Sequence, residues 1–193
     1  MKRLRIGIVG YGNLGRGVET ALNRNPDMEL AAVFSRRKLE ATASGVPAAS
    51  VEERERFRGA IDVMILCGGS AADLAAQGPQ FASLFHTVDS FDTHAKIPEY
   101  FQLMDAAARA AGKVATVSAG WDPGLFSLVR ALASSVLPGG AECTFWGKGV
   151  SQGHSDALRR IPGVKDARQY TIPRQEAVDA VRSGKAPRIN ARE

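Results

Sequence analysis

Residues Ile6–Leu22 read IGIVGYGNLGRGVETAL, and this stretch decides the fold. An apolar run ends at Gly10, glycines follow at Gly12 and Gly15, and apolar residues then recur at helical spacing. A strand, a G-x-G-x-x-G turn and a helix N-terminus together form a site for the pyrophosphate of a dinucleotide, because glycine permits both the turn and the close approach of the backbone. A purely structural turn is the alternative. The residues predicted to bind a dinucleotide are Gly10, Gly12, Asn13, Leu14 and Gly15.

The rest of the first half repeats the alternation of strand and helix. Strand-like segments read LRIGIVG, MELAAVFS, DVMILCGG, HTVDSF and KVATVSAGWDPG, and helical segments lie between them. One helical segment, ADLAAQGPQFASLF, is expected to break near Gly78-Pro79. This order predicts an α/β fold, a doubly wound parallel sheet with helices on both faces. Ligands bind such sheets at the carboxyl ends of the strands, which are expected after Val9, Phe34, Leu66, Val88 and Val117.

The end of the second strand indicates which dinucleotide is bound. A carboxylate about 20 residues after the glycine motif favours NAD, since it binds the ribose hydroxyls. This sequence has Ser35-Arg36-Arg37 instead. Guanidinium groups suit a phosphate on that ribose, so the cofactor is predicted to be NADP(H); a solvated basic turn is the alternative.

The third strand ends in small residues that are expected to let the cofactor lie against the backbone. These residues are Cys67, Gly68, Gly69 and Ser70. Cys67 is interpreted as a packed thiol rather than a nucleophile, because its setting is apolar and no histidine accompanies it in the motif.

Composition excludes several classes of protein. The 193 residues carry a formal charge of +5, but basic and acidic side chains are interleaved, so no nucleic-acid partner is expected. The two cysteines lie far apart without metal-ligand spacing, so neither a metal nor a disulfide framework is predicted. The sequence shows no signal peptide and no membrane-spanning run, which makes a cytoplasmic location the expectation.

Two acidic loops are predicted on the edge of the sheet that holds the nicotinamide. HTVDSFDTH supplies Asp89 and Asp92, and VSAGWDPG supplies Trp121 and Asp122. Carboxylates placed there can hold a cationic amine, orient its carbon for hydride loss, deprotonate the amine or activate water. Ordinary use of Asp in turns is the alternative.

The pattern changes after Pro138-Gly139-Gly140. The segments that follow are interpreted as a strand, a glycine-rich loop, a short helix and a strand, with a further helix beginning near the end. Residues 1–120 are predicted to form an NADP-binding domain, and residues 121–193 the start of a second, mixed α/β domain.

Five stretches together resemble the meso-diaminopimelate dehydrogenases: VGYGNLGRGVE, FSRR, TVDSFDTH, SAGWDPG and FWGKGVSQGHSDALRRIPGVKDARQYTIP. The resemblance runs from Leu4 to Pro173. It implies NADP-dependent oxidative deamination of the D-centre of meso-2,6-diaminopimelate, in lysine and peptidoglycan precursor synthesis, by a homodimer. The family continues beyond Glu193, so the chain is expected to be a fragment or a truncated product. The alternatives are a non-catalytic NADPH-binding remnant and another Rossmann oxidoreductase, such as a dihydrodipicolinate reductase.

The resemblance also implies roles for individual residues. It assigns Asp92 and Asp122 to the amino group of the D-centre, and Trp121 to packing beside the nicotinamide and the substrate. Trp146 as a core residue and Gly149–Gly153 as a simple turn are the alternatives. Further positions that the resemblance assigns to the substrate pocket are Trp146, Ser151, Gln152, Gly153 and Thr171.

Overall fold

The computed structural model describes residues 2–37, 39, 41–140 and 149–185. The chain divides into two compact units, Met1–Ala133 and Ser134–Glu193. The predicted domain boundary after residue 120 stays a prediction.

The first unit is built on six parallel strands in the order β3-β2-β1-β4-β5-β6. Central β1 lies between β2 and β4, so the chain winds outward from the middle of the sheet in both directions. The prediction of a doubly wound parallel sheet is confirmed. The strands are β1 Leu4–Val9, β2 Met28–Ser35, β3 Ala48–Ser50, β4 Val63–Leu66, β5 His86–Asp89 and β6 Ala115–Thr116.

Three helices between strands cover the two faces of the sheet, and a fourth follows the last strand. Two 3₁₀ turns, Val51–Phe57 and His94–Lys96, and one π-turn, Ser70–Leu74, complete the connections. Among the residues that the structure describes, no helix is both long and apolar enough to cross a membrane. The helices are α1 Asn13–Leu22, α2 Ala75–Ala82, α3 Ile97–Ala110 and α4 Leu125–Val136.

The core lies on both faces of the sheet because buried strand residues alternate between them. Ile8 and Val33 are fully buried and pack with Leu22 of α1. Their neighbours Val9 and Phe34 join the larger cluster that faces α2 and α3. Strands buried on both faces are continuous apolar runs, which is why the sequence indicated them clearly.

Helix α2 runs through Gly78-Pro79, so the predicted break is wrong. A Cβ at Gly78 would lie 2.4 Å from the hydroxyl oxygen of Tyr100 and 2.9 Å from Sδ of Met104. Gly78 is therefore the point where α3 comes close to α2, and this packing holds the helix together despite the missing N–H of the proline.

The second unit contains a two-stranded antiparallel sheet, β7 Gly149–Ser151 and β8 Gln169–Thr171, with helices α5 Gln152–Arg159 and α6 Gln175–Arg182. The alternative of a simple turn over Gly149–Gly153 is wrong, because this segment is strand β7 and the first turn of α5. The buried hydroxyl of Ser155 explains the difference. It donates to the Ser151 carbonyl and accepts from the Gln169 N–H at 2.9 Å, which joins the helix to both strands.

Candidate functional site

The glycine turn after β1 has the backbone geometry that a dinucleotide site needs. Gly10 has φ +91°, and its N–H donates to the Phe34 carbonyl at 2.8 Å. A Cβ at Gly15 would lie 2.1 Å from the Gly10 carbonyl oxygen, so only glycine lets α1 start this close to β1. A Cβ at Gly12 would have no atom within 4 Å, which leaves open space in front of the turn.

The N-terminus of α1 is open to an anion. Gly12 is its N-cap, no side chain caps it, and its first turn contains no acidic residue. The first helical hydrogen bond runs from Arg16 N–H to the Gly12 carbonyl at 3.0 Å, so the preceding N–H groups have no partner within the helix. Asn13 and Leu14, both exposed, lie in this turn, where the helix dipole favours phosphate.

Glu19 is a buried carboxylate that the sequence did not single out. It accepts hydrogen bonds from the Tyr11 hydroxyl and from Ser44 N–H, and the Tyr11 hydroxyl accepts from Ala43 N–H at 2.9 Å. Burial alone would raise the pKa of Glu19, but these hydrogen bonds hold it below its ordinary value. The pair Tyr11–Glu19 thereby fixes the loop around Ser44 against the glycine turn.

The basic segment after β2 borders a cleft of about 340 Å³. Strand β3, which the sequence did not indicate, forms the opposite wall of this cleft. Arg37 N–H donates to Ser35 Oγ at 3.1 Å, and Arg36 forms an ion pair with Asp73, Nη2 to Oδ1 2.8 Å. The residues that line the cleft are Ser35, Arg36, Arg37, Leu39, Ala48, Ala49 and Ser50.

The segment after β4 lies beside the glycine turn. A Cβ at Gly10 would be 3.1 Å from the Cys67 carbonyl oxygen. Burial raises the pKa of the Cys67 thiol to about 12, so the thiol stays protonated, which supports its interpretation as a packed side chain. Gly69 N–H donates to Asp73 Oδ2 at 3.2 Å, and Ser70 Oγ accepts from Asp92 N–H at 3.0 Å. Gly68 and its neighbours therefore form a turn that contacts both cofactor-side and substrate-side segments.

Asp89 and Asp92 were predicted to lie in the same acidic loop, but the structure gives them different environments. Asp89 is 2% exposed, and its carboxylate accepts from Tyr100 hydroxyl at 2.7 Å, Phe91 N–H at 3.0 Å and Ser118 N–H at 3.1 Å. Its carbonyl accepts from the N–H of residue 119 at 2.7 Å. Asp89 thus holds both acidic loops in place, whereas Asp92 is exposed and available to a ligand.

The GWDPG segment is a tight loop between β6 and α4. A Cβ at Gly124 would lie 1.8 Å from the Gly120 carbonyl oxygen, so the loop closes only with glycine there. The Asp122–Pro123 peptide bond is cis. Asp122 Oδ1 accepts from Arg130 Nη2 at 3.0 Å and from Ser127 Oγ at 3.2 Å. The carboxylate is therefore oriented by α4.

Trp121 presents an exposed aromatic surface in the same loop. Its side chain is 56% exposed and stacks on Phe126 with ring centroids 5.4 Å apart and an interplanar angle of 12°. The guanidinium carbon of Arg130 lies 5.1 Å from the centroid of the Phe126 ring. One layer of stacked groups thus supports both Trp121 and the partner of Asp122.

The remaining predicted residues belong to the second unit. Ser151 Oγ lies 2.7 Å from His154 Nδ1, and Thr171 pairs with Gly149 across the two strands. Gln152 and Gly153 form the start of α5. Trp146 lies outside the described residues. Within the described part of the chain, no three His, Cys, Asp or Glu side chains cluster as metal ligands.

Comparisons of sequence and of structure both find diaminopimelate dehydrogenases as similar proteins. The family profile described as "Diaminopimelic acid dehydrogenase C-terminal domain" matches residues 120–193. The meso-diaminopimelate D-dehydrogenase of Ureibacillus thermosphaericus is 63% identical over 100% of this chain and 60% of its own length.

Two solved structures superpose on most of the chain. The Corynebacterium glutamicum DAP dehydrogenase in complex with DAP has a TM-score of 0.89 and 50% identity, over 96% of this chain and 57% of that one. An engineered D-amino acid dehydrogenase bound to NADP⁺ has a TM-score of 0.88 and 47% identity, over 97% and 58%. The chain spans about three fifths of the length of these relatives. It is a homologue of the meso-diaminopimelate D-dehydrogenases.

Proposed function

We propose that this chain is part of an NADP-dependent meso-diaminopimelate D-dehydrogenase. The D-centre of meso-2,6-diaminopimelate is oxidised and its amine released as ammonia, giving NADPH and L-2-amino-6-oxopimelate, which cyclises to tetrahydrodipicolinate. This reaction places the enzyme in lysine biosynthesis. The observation that carries the proposal is the 63% identity over the whole chain to a curated enzyme of this name.

The residues after β1, β2 and β4 fit NADP(H). The uncapped N-terminus of α1 offers backbone N–H donors to the pyrophosphate, and the open space at Gly12 leaves room for it. The guanidinium groups of Arg36 and Arg37 offer N–H donors to a ribose phosphate. At Ser35, where a carboxylate would favour NAD, the chain offers a hydroxyl.

NADP⁺ supplies the acceptor for the hydride that leaves the D-centre carbon. The chain's own residues must then fix the amine and move protons. We assign the exposed Asp92 and the oriented Asp122 to holding the ammonium group, since a carboxylate pairs with a cation and limits its orientations. One of the two takes a proton from the amine before hydride loss or from water afterwards. Trp121 offers an exposed aromatic face against which the nicotinamide and the substrate pack.

The remaining site, partner and location assignments are proposals as well. Pocket roles for Trp146, Ser151, Gln152, Gly153 and Thr171 rest on the resemblance alone. A homodimer in the cytoplasm, with no nucleic-acid partner, is likewise proposed. Sedimentation at several protein concentrations tests the dimer, which a single monomeric species would contradict.

The activity is tested by NADPH formation from meso-diaminopimelate at alkaline pH, with the 193-residue chain. NAD⁺ in place of NADP⁺ and the LL-isomer in place of the meso compound are expected to give little product. Retained NADPH binding without turnover would instead favour a non-catalytic binding module, the second candidate. The observation behind this second candidate is that the chain matches only about three fifths of the length of its relatives.

Asp122→Ala tests the substrate site separately from the cofactor site. We expect turnover to fall by a factor of about 10² or more, because a positioned carboxylate contributes that much to proton transfer, while the Kd for NADPH changes less than about twofold. Asp105→Ala is the matched control, since Asp105 pairs with Arg109 on the surface of α3, away from the glycine turn and the acidic loops. A large loss of NADPH affinity in Asp122→Ala would show that the assignment is wrong.

A further inference from the structure

Asp73 joins two segments that are proposed to contact the cofactor, the turn after β4 and the end of β2. It lies in the π-turn Ser70–Leu74, and its side chain is 15% exposed. Its Oδ2 accepts from Gly69 N–H at 3.2 Å, and its Cβ lies where a Cβ on Gly68 would be only 2.8 Å away. The carboxylate is therefore fixed by the turn after β4, and Gly68 is the residue that allows it to come so close.

From this fixed position, Asp73 reaches the end of β2. Its Oδ1 lies 2.8 Å from Nη2 of Arg36, whose side chain is 64% exposed. Among the described residues Asp73 Oδ1 has no hydrogen-bond partner, so the pair is a contact between charges, and the five N–H donors of the guanidinium stay available to a second anion. In the sheet order β2-β1-β4, this ion pair spans the ends of β2 and β4 on either side of the glycine turn.

We propose that Asp73 is a positioning residue that holds the Arg36 guanidinium where it meets the ribose phosphate of NADP(H), and so sets the preference for NADP(H) over NAD(H). The inference rests on the proposed NADP(H) site. An exposed arginine loses rotamer freedom when it binds a phosphate, and an arginine already held by a carboxylate has lost part of it beforehand. Asp73 touches no phosphate itself in this assignment, and its effect passes through Arg36.

The test is the dissociation constant of the 193-residue chain for NADP⁺, NAD⁺ and 2′,5′-ADP, measured by titration calorimetry. In Asp73→Asn, the side-chain oxygen still accepts from Gly69 N–H, but the charge that holds Arg36 is gone. We expect the Kd for NADP⁺ and 2′,5′-ADP to rise about three- to tenfold, a range within that of coupled neighbouring pairs, while the Kd for NAD⁺ changes less than about twofold. Asp105→Asn, on the surface pair with Arg109, is expected to change none of the three.

A double-mutant cycle with Arg36→Ala separates positioning from a structural role. In the Arg36→Ala background, Asp73→Asn should have no further effect on NADP⁺, because there is no guanidinium left to hold. An equal loss for NADP⁺ and NAD⁺ would overturn the inference, since Asp73 would then act by shaping the Gly68–Ser70 turn. Tighter NADP⁺ binding would overturn it in favour of competition between Asp73 and phosphate.

The wild-type chain distinguishes this inference from the proposed function. If it binds NADP⁺ no more tightly than NAD⁺, the cofactor assignment fails and the inference falls with it. If it prefers NADP⁺ and the preference is unchanged in Asp73→Asn, the inference alone is overturned.

Discussion

At Asp89, one buried carboxylate accepts hydrogen bonds from a helix and from two loops. Asp89→Ala would leave the Tyr100 hydroxyl and the N–H groups of Phe91 and Ser118 without their acceptor. We expect the free energy of unfolding to fall by about 2–4 kcal/mol, because unpaired buried donors cost more than the hydrogen bonds themselves contribute. Urea unfolding followed by fluorescence measures the change.

The exposed neighbour Asp92 provides the control for this loss. Asp92→Ala removes the same chemical group from the same loop, and only its backbone N–H is bonded, to Ser70, among the contacts described. Its unfolding free energy is expected to change by less than about 0.5 kcal/mol. Similar losses in the two variants would contradict the structural role given to Asp89.

The difference between these two aspartates could not be predicted from the sequence. Asp89 is the last residue of β5 and Asp92 lies three residues further on, so the local sequence pattern places both at the same edge of the sheet. What separates them is Tyr100, a partner from α3 that only tertiary packing brings to Asp89. By contrast, the glycine turn was predictable because Gly10 and Gly15 meet constraints set within one strand and one helix.

Among the strands, those that could be predicted from the sequence are the ones with a long apolar run of their own. Strands β1 and β2 contain the unbroken apolar runs Ile6–Val9 and Leu30–Phe34 and were predicted closely. Strand β3 has three residues and exists through its pairing with β2, Val33 with Ala48 to Ser35 with Ser50. Such a strand carries no periodic signal of its own. Since β3 lines the cleft beside Arg36, the wall of the candidate phosphate site was missed with it.

The start of β1 is tied to the residue before β4 by an ion pair that depends on pH. Arg5 donates to Asp62 from Nε at 3.0 Å and Nη2 at 2.6 Å, and its backbone N–H donates at 2.8 Å. The Arg5 side-chain hydrogen bonds, followed by the backbone one, lower the pKa of Asp62 from 3.8 to about 2. The folded pKa lies below the unfolded one, so the stabilisation is present above about pH 4 and is lost as the pH falls towards 2.

Asp62→Asn tests this dependence. We expect the wild type to be more stable than the variant at neutral pH, by an amount that shrinks between about pH 4 and pH 2 as the carboxyl group protonates. Urea unfolding at several pH values gives the difference, and Arg5→Met should remove the same pH-dependent part. A difference that stays constant down to pH 2 would show that Asp62 is not stabilised as its carboxylate.

In the whole molecule, the packed core and the proposed cofactor site belong to the same unit. Of the buried apolar residues described, all but Val178 lie in Met1–Ala133. The glycine turn, the Ser35–Arg37 segment and the turn after β4 lie there too. A unit with its own core on both faces of a sheet has what independent folding requires.

This distribution predicts that a fragment of residues 1–140, which keeps α4 complete, folds and binds NADP⁺. Its Kd should lie within about threefold of that of the 193-residue chain, since the groups proposed to contact the phosphates are all retained, while oxidation of meso-diaminopimelate should be absent. Circular dichroism checks the fold, and titration calorimetry with NADP⁺ and NAD⁺ gives the affinities. A folded fragment that binds NADP⁺ more than about tenfold more weakly would mean that residues after Gly140 contribute to the cofactor site, because a tenfold change corresponds to about 1.4 kcal/mol of binding free energy.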